Sequence, residues 1–192
     1  STSPEKIEVV QSWPQPKSAK DVRSFMGLCS YYRRFVHGFA KIAKPLTSLM
    51  KKDVTFSWTD KSQEAFNQLK EALVSAPILT YTQEDANFIL DCDASKDAVG
   101  SVLSQEQDGQ EKVVAYYSRT LNVHEQNYCI TRKEMLAVVN AVRKFKCYLW
   151  GRPVKVRTDN AAVSFMMRIK EPEGQLARWI EELGCYDLQI SH

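Results

Sequence analysis

Hydrophobic residues recur at helical spacing through the first 75 residues of the chain. Gly, Pro and polar residues divide this region into short amphipathic segments, each with one apolar face. Ser18 with Asp21, and Asp60 with Gln63, have the spacing of capping signals at helix N-termini. The pattern therefore predicts short helices at about residues 3–13, 18–27, 31–38, 42–49 and 60–75.

A different pattern begins after Pro77, where short apolar runs separated by turn residues indicate β-strands. Asp108-Gly109 predicts a tight hairpin, and a loop then leads to a long amphipathic helix that Thr131 can cap. The predicted order of elements after Pro77 is β-β-β-α-β-α-α-β. The helical crossover gives the fourth strand a parallel neighbour, so we expect an α/β fold with a five-stranded mixed sheet and flanking helices. The predicted strands are 87–93, 98–105, 112–118, 154–159 and 186–190.

The composition is typical of a globular protein, with 44% hydrophobic and 26% charged residues. No apolar run approaches the ~20 residues that a membrane span needs, so no membrane partner is expected. The five cysteines are scattered and form no C-x-x-C pair, which favours reduced thiols in an intracellular protein. The change from helical to strand pattern predicts two domains, at residues 1–79 and 80–192.

Charge is distributed unevenly along the chain. Residues 1–80 contain 12 Lys/Arg and 7 Asp/Glu, a formal +5, whereas residues 81–192 contain 14 and 16, a formal −2. A basic front half beside an acidic back half is consistent with phosphate contact followed by metal-binding carboxylates. Chance variation explains the same numbers equally well, so charge alone does not decide.

Three acidic residues occupy positions where one edge of the predicted sheet can collect them. Asp93 ends the first strand, Glu134 lies near the start of the long helix, and Asp159 ends the fourth strand. If the first and fourth strands are neighbours, both aspartates meet at one edge, and the crossing helix can bring Glu134 there. Clustered carboxylates suit Mg²⁺, and phosphodiester hydrolysis uses two such ions ~3.5–4 Å apart. The pattern favours a magnesium-dependent nuclease.

Each acid also has an explanation that involves no metal. Asp93 is consistent with a turn residue that hydrogen-bonds its own backbone. Glu134 suits the positive end of a helix dipole, and Asp159 with Asn160 suits a helix N-cap. Asp91 would lie on the same sheet face as Asp93, so strand alternation alone does not choose between these two aspartates.

Several motifs follow one another in a fixed order along the chain. In the back half they are Asp93-Ala-Ser95, Val99-Gly-Ser-Val-Leu-Ser-Gln105, Arg132-Lys-Glu-Met-Leu-Ala-Val-Val139 and Arg157-Thr-Asp-Asn160. In the front half they are Trp13-Pro-Gln-Pro16, Val22-Arg-Ser-Phe-Met-Gly-Leu28, Tyr31-Tyr-Arg-Arg-Phe35, Ile42-Ala-Lys-Pro-Leu-Thr47, Phe56-Ser-Trp-Thr59 and Ala65-Phe-Asn-Gln-Leu-Lys70. Together they resemble the Pol polyproteins of Ty3/Gypsy-type long-terminal-repeat retrotransposons. Residues 1–79 are similar to the reverse transcriptase thumb, and residues 80–192 to the ribonuclease H domain.

The resemblance implies a ribonuclease that cuts the RNA strand of RNA–DNA hybrids with two Mg²⁺ ions, or with Mn²⁺. It maps the catalytic, metal-binding acids onto Asp93, Glu134 and Asp159, with Asp93 shared by both ions. His192 falls at the position of a histidine that assists proton transfer or product release. A fourth aspartate is expected beyond His192, so residues 80–192 are expected to be C-terminally incomplete. Glu134 precedes Asp159, whereas integrases and transposases of similar fold place their Glu after the second Asp.

Nucleic-acid contacts are implied in both halves. Basic residues among aromatic ones in the front half would grip the backbone of a primer–template duplex, which positions the duplex without reading its sequence. Ser95 and Asn160 would hydrogen-bond the RNA strand, which its 2′-OH distinguishes from DNA. Solvated helix faces over an aromatic core explain the basic residues equally well. The candidate basic contacts are Lys20, Arg23, Arg33 and Arg34.

The resemblance also implies partners in the same polyprotein, namely the polymerase fingers and palm upstream and an integrase downstream. The polymerase's paired-aspartate motif is absent from these residues, so DNA synthesis by this chain alone is not expected. A cytoplasmic virus-like particle is the implied location. The alternative function is that of an inactive nucleic-acid-binding remnant, which would bind hybrid without Mg²⁺-dependent cleavage.

Overall fold

The computed structural model describes residues 9–52, 54–75, 79–169 and 171–191 and divides into two compact units, Ser1–Leu79 and Thr80–His192. Residues 9–11 are helical, while most of the helix predicted at 3–13 lies outside the described residues. The first unit then contains the helices α1 (Ala19–Tyr31), α2 (Phe39–Ser48) and α3 (Asp60–Val74). A 3₁₀ turn at Arg33–Phe35 lies between α1 and α2.

The apolar faces of these helices form one core. Phe25 of α1 and Phe66 of α3 are buried, with their ring centroids 4.7 Å apart, and Leu46 of α2 belongs to the same cluster. Each side chain buried in this way contributes about 1.5–3 kcal/mol. Tertiary burial therefore stabilises helices that would be too short to persist alone.

Helix α1 is longer than the sequence pattern predicted. The predicted end at Gly27 is wrong, because the helix continues to Tyr31. An interior glycine costs only about 1 kcal/mol relative to alanine. Cys29 follows Phe25 by four residues on the same helix face and is fully buried, so its burial offsets that cost.

The second unit contains a five-stranded mixed sheet with the strand order β3-β2-β1-β4-β5, which confirms the expected fold class. The first three strands are antiparallel neighbours, whereas β4 runs parallel to β1 and β5 runs parallel to β4. Asp108 and Gly109 both have positive φ, as the predicted two-residue hairpin requires. The strands are β1 (Phe88–Ala94), β2 (Ala98–Gln107), β3 (Gln110–Thr120), β4 (Pro153–Thr158) and β5 (Asp187–Ser191).

Helices of the second unit connect and flank the strands. They are α4 (Val123–Gln126), α5 (Ile130–Leu149), α6 (Ala162–Met166) and α7 (Gly174–Gly184). The long helix α5 contacts both β1 and β2. A loop was predicted before α5, and the short helix α4 was missed there, although Asn122 and Glu125 form a capping box that signals it. Among the described helices, none combines the length and apolar character needed to cross a membrane.

Strand β1 divides its side chains between two environments. Phe88, Leu90 and Cys92 are buried in the core cluster that also contains residues of α5. Asp91 is half-buried, and Asp93, near the end of the strand, is exposed. This alternation places both aspartates outside the apolar core, where their carboxylates can be hydrated, paired or bound to a ligand.

Candidate metal centre

Three carboxylates meet where β1, β4 and the start of α5 come together. One carboxylate oxygen from each of Asp93, Glu134 and Asp159 lies within 4.8 Å of the other two. The parallel pairing of β1 with β4, in which Cys92 lies opposite Thr158, carries the two aspartates to the same sheet edge. Asp93 and Asp159 are exposed, whereas Glu134 is only 1% exposed.

Glu134 is fixed by the turn that follows β1. The backbone N–H of Ala94 donates a hydrogen bond of 3.2 Å to Glu134 Oε1. The other carboxylate oxygen, Oε2, is buried and has no hydrogen-bond partner within the described parts of the chain. A buried polar atom without a partner is unfavourable. Glu134 therefore has one oxygen bound by the protein and one that suits a cation.

Electrostatic repulsion accumulates in this cluster. Burial, followed by the negative charges of Asp159 and Asp93, raises the pKa of Glu134 to about 7, against the opposing effect of the Ala94 N–H. A divalent cation would replace this repulsion with attraction. Carboxylate oxygens are ligands that Mg²⁺ and Mn²⁺ prefer, so the donor set fits such an ion.

Asp91 is engaged elsewhere, by an ion pair. Arg157 lies opposite Asp91 in the parallel β1–β4 pair and donates to both of its carboxylate oxygens, with Nη2 2.6 Å from Oδ2. The same guanidinium also donates to both carboxylate oxygens of Glu111, with Nη2 2.7 Å from Oε1. These two partners raise the pKa of Arg157 above its usual range. Strand alternation left the choice between Asp91 and Asp93 open, and the resemblance favoured Asp93. The contact of Asp91 with Arg157 across the sheet is consistent with that preference.

The remaining candidates near the acids have different surroundings. The Ser95 hydroxyl donates to the Ala98 carbonyl and accepts from the Ala98 N–H, both at 3.0 Å, so it closes the β1–β2 turn. The backbone N–H of Asn160 donates to Thr158 Oγ1 at 3.4 Å, directly after Asp159. His192 lies outside the described residues.

The four basic candidates of the front half are all exposed, and all lie in the first compact unit. The Arg33 guanidinium lies 5.3 Å from the centre of the Phe39 ring, and that of Arg34 lies 5.5 Å from the Phe35 ring. Cation–π contacts of this kind orient a guanidinium while leaving it accessible. The described residues thus offer exposed, oriented cations on a helical unit.

Comparison with known proteins gives consistent matches. A family model described as an RNase H-like domain found in reverse transcriptase matches residues 58–156. The Retrovirus-related Pol polyprotein from transposon 297 of Drosophila melanogaster is 39% identical over 192 residues, which cover 99% of this chain and 18% of that polyprotein. The corresponding polyprotein from transposon 412 of the same organism is 36% identical, over 97% of this chain and 15% of its own length. The Transposon Tf2-3 polyprotein of Schizosaccharomyces pombe is 35% identical, over 98% of this chain and 14% of that polyprotein.

These matches confirm the resemblance to retrotransposon Pol polyproteins that the motifs indicated. The chain spans less than a fifth of the length of each of these three polyproteins. Solved structures with a similar fold include a foamy viral protease–reverse transcriptase (dRH) in complex with double-stranded DNA, with a TM-score of 0.82, 21% identity and coverage of 98% of this chain and 34% of that one. A foamy viral protease–reverse transcriptase in complex with an RNA/DNA hybrid has a TM-score of 0.81 and 20% identity, over 98% of this chain and 26% of that one. At these identities the likeness establishes the fold.

Proposed function

Because the chain belongs to the family of RNase H-like domains found in reverse transcriptase, we propose that its carboxylate cluster hydrolyses the RNA strand of RNA–DNA hybrids. The observation that carries this proposal is the convergence of Asp93, Glu134 and Asp159 from three separate elements, with their ligand atoms within 4.8 Å. Like charges brought together in this way, one of them buried, are costly without a cation and are typical of functional sites.

Asp93, Glu134 and Asp159 would together hold two Mg²⁺ ions, for which Mn²⁺ can substitute. Two such ions, when bound, activate a water molecule and stabilise the leaving oxygen of an in-line displacement. Asp93 is exposed near the end of β1, where its carboxylate would be accessible to both ions. Glu134 would bind a cation through its buried Oε2, because the Ala94 N–H donates to Oε1. Asp159 completes the set from β4, and His192 is assigned to proton transfer or product release.

Residues 80–192 act, in this proposal, as the ribonuclease H domain, and residues 1–79 as a thumb that grips primer–template duplex. The exposed cations of the first unit support the second assignment. Ser95 and Asn160 adjoin the acids in sequence and are assigned to the RNA strand. The relatives are much longer polyproteins. In this proposal the polymerase fingers and palm lie upstream of the chain in the same polyprotein, and an integrase lies downstream. The location is the cytoplasmic virus-like particle of a retroelement.

Substrate specificity gives the direct test of the proposed activity. An end-labelled RNA–DNA hybrid should be cut in its RNA strand when Mg²⁺ is present and remain intact in EDTA. DNA–DNA and RNA–RNA duplexes of the same sequence should remain intact in both conditions. The products should carry 5′-phosphate and 3′-hydroxyl ends, which a ligation or extension assay detects. Salt-sensitive binding of the hybrid without Mg²⁺-dependent cutting would instead support a non-catalytic nucleic-acid-binding protein.

The thumb assignment predicts a measurable change in salt dependence. Each phosphate contact contributes about 0.9 to the slope of log affinity against log salt concentration for duplex DNA. The double variant Arg33→Gln/Arg34→Gln should therefore make that slope less steep by about 2, as measured by fluorescence anisotropy with a labelled duplex. Lys51→Gln/Lys52→Gln, which also removes two exposed cations from the first unit, is the matched control. Equal slopes for the double variant and this control would contradict the assignment.

A further inference from the structure

A buried lysine lies directly beside the carboxylate cluster. Lys133 immediately precedes Glu134 near the start of α5 and is only 7% exposed. Its Nζ donates a hydrogen bond of 3.2 Å to the carbonyl oxygen of Lys96. Lysine is rarely buried this far unless its ammonium has a defined partner. The partner here is a backbone atom of the turn that joins β1 to β2, three residues after Asp93.

Two successive residues of α5 thus hold this turn. Glu134 accepts from the Ala94 N–H at the start of the turn, and Lys133 donates to the Lys96 carbonyl at its middle. Further contacts close the turn internally and join it to β3: the Ser95 N–H donates to the Ala98 carbonyl at 2.8 Å, and the Leu121 N–H donates to the Asp97 carbonyl at 2.7 Å. The turn that follows Asp93 is therefore attached to α5 at two separate points.

Only one of the two attachments involves a residue of the carboxylate cluster. Glu134 would bind a cation through Oε2, while its Oε1 accepts from the Ala94 N–H. Lys133 donates to a carbonyl oxygen and is not required to change when a cation arrives. The lysine contact thus holds the turn, and Asp93 with it, against α5 without using a carboxylate that would bind the metal.

We propose that Lys133 is a positioning residue for the metal centre, which keeps Asp93 within reach of the ligand atoms of Glu134 and Asp159. This inference rests on the proposed function of the same cluster. A role through charge alone makes the opposite prediction, because removing a positive charge near three carboxylates strengthens cation binding. A positioning role predicts weaker binding, since residues that orient metal ligands typically contribute about 10–100-fold to metal affinity.

The test measures metal binding without substrate. Titration calorimetry with MgCl₂ and with MnCl₂ should show about tenfold weaker binding to Lys133→Met, whose side chain has similar length but no donor. Lys133→Arg, which retains a cationic donor, should restore most of the affinity. Lys144→Met, an exposed position on the same helix, should bind like the wild type. Hydrogen exchange at residues 94–98 should accelerate in Lys133→Met but not in Lys144→Met.

Cleavage of hybrid supplies the second readout. The Mg²⁺ concentration for half-maximal rate should rise in Lys133→Met by the same factor as the dissociation constant, and saturating Mg²⁺ should recover much of the rate. Unchanged or tighter metal binding by Lys133→Met would overturn the positioning role. Failure of the wild type to bind metal or to cleave would instead refute the proposed function. If Lys133→Met does not give a folded circular dichroism spectrum, Lys133→Leu, whose side chain also has no donor, carries the same test.

Discussion

Asp93→Asn is expected to lower the Mg²⁺-dependent cleavage of hybrid RNA by about 100–1,000-fold, because loss of one shared metal ligand removes several kcal/mol of transition-state stabilisation. Asparagine preserves the shape of the side chain but carries no charge and offers one oxygen. Asp93 is exposed, so the substitution leaves the apolar core intact. The measurement is the initial rate of cleavage of a labelled hybrid at saturating Mg²⁺. The variant is compared with a wild-type polypeptide of the same length that cleaves the hybrid.

Asp91→Asn is the matched control for this prediction, since it makes the same chemical change two residues earlier on the same strand. Asp91 already pairs with Arg157, with side chains that are 36% and 39% exposed. Loss of a partly exposed pair of this kind costs up to about 1 kcal/mol of stability, and cleavage should stay close to the wild-type rate. Equal loss of cleavage in both variants, or no loss in Asp93→Asn, would mean that Asp93 is not the metal ligand.

Glu134→Gln is expected to change activity and stability in opposite directions. Cleavage should fall by about 100-fold or more, because a ligand to the metal is lost. In EDTA above pH 7, however, the variant should be more stable than the wild type, on the order of 2 kcal/mol, because the buried charge and its repulsion by Asp159 and Asp93 disappear. Because the pKa of Glu134 is raised, this gain should vanish as the pH falls below about 4.5, where the carboxyl is protonated in both the folded and the unfolded state. The glutamine carbonyl can still accept from Ala94, and its amide can donate to the neighbouring aspartates.

Urea denaturation in EDTA and in Mg²⁺ measures this trade-off between activity and stability. Mg²⁺ should raise the free energy of unfolding of the wild type by mass action and have little effect on Glu134→Gln. Glu125→Gln provides a control of opposite sign. Its carboxylate forms a two-point pair with Arg119, at 2.7 and 2.8 Å, and its pKa is lowered by that partner. Glu125→Gln should therefore lose stability in both conditions. A loss of stability for Glu134→Gln in EDTA would contradict the expected repulsion among the three carboxylates.

Much of the fold was predictable because it depends on local patterns. Alternation and turn residues identified all five strands to within two residues at each end. The differences of two residues are at the end of β2 and at both ends of β3. The order of the elements implied a parallel neighbour for β4, and the structure pairs it with β1. Local patterns were less reliable where tertiary burial opposed them, as at Gly27, and where an element had only one turn, as in α4.

The sequence by itself determined most of the secondary elements, the mixed sheet and three acids at its edge. Only the tertiary structure decided how those acids and their neighbours are used. Arg157 lies 66 residues from Asp91 along the chain, and Lys133 lies 37 residues from the turn it holds. Contacts over such separations depend on strand register and on how α5 lies against the sheet, which no local periodicity specifies. For that physical reason, Asp91 became an ion-pair partner, Asp93 joined the candidate metal centre, and Lys133 was visible only in the folded chain.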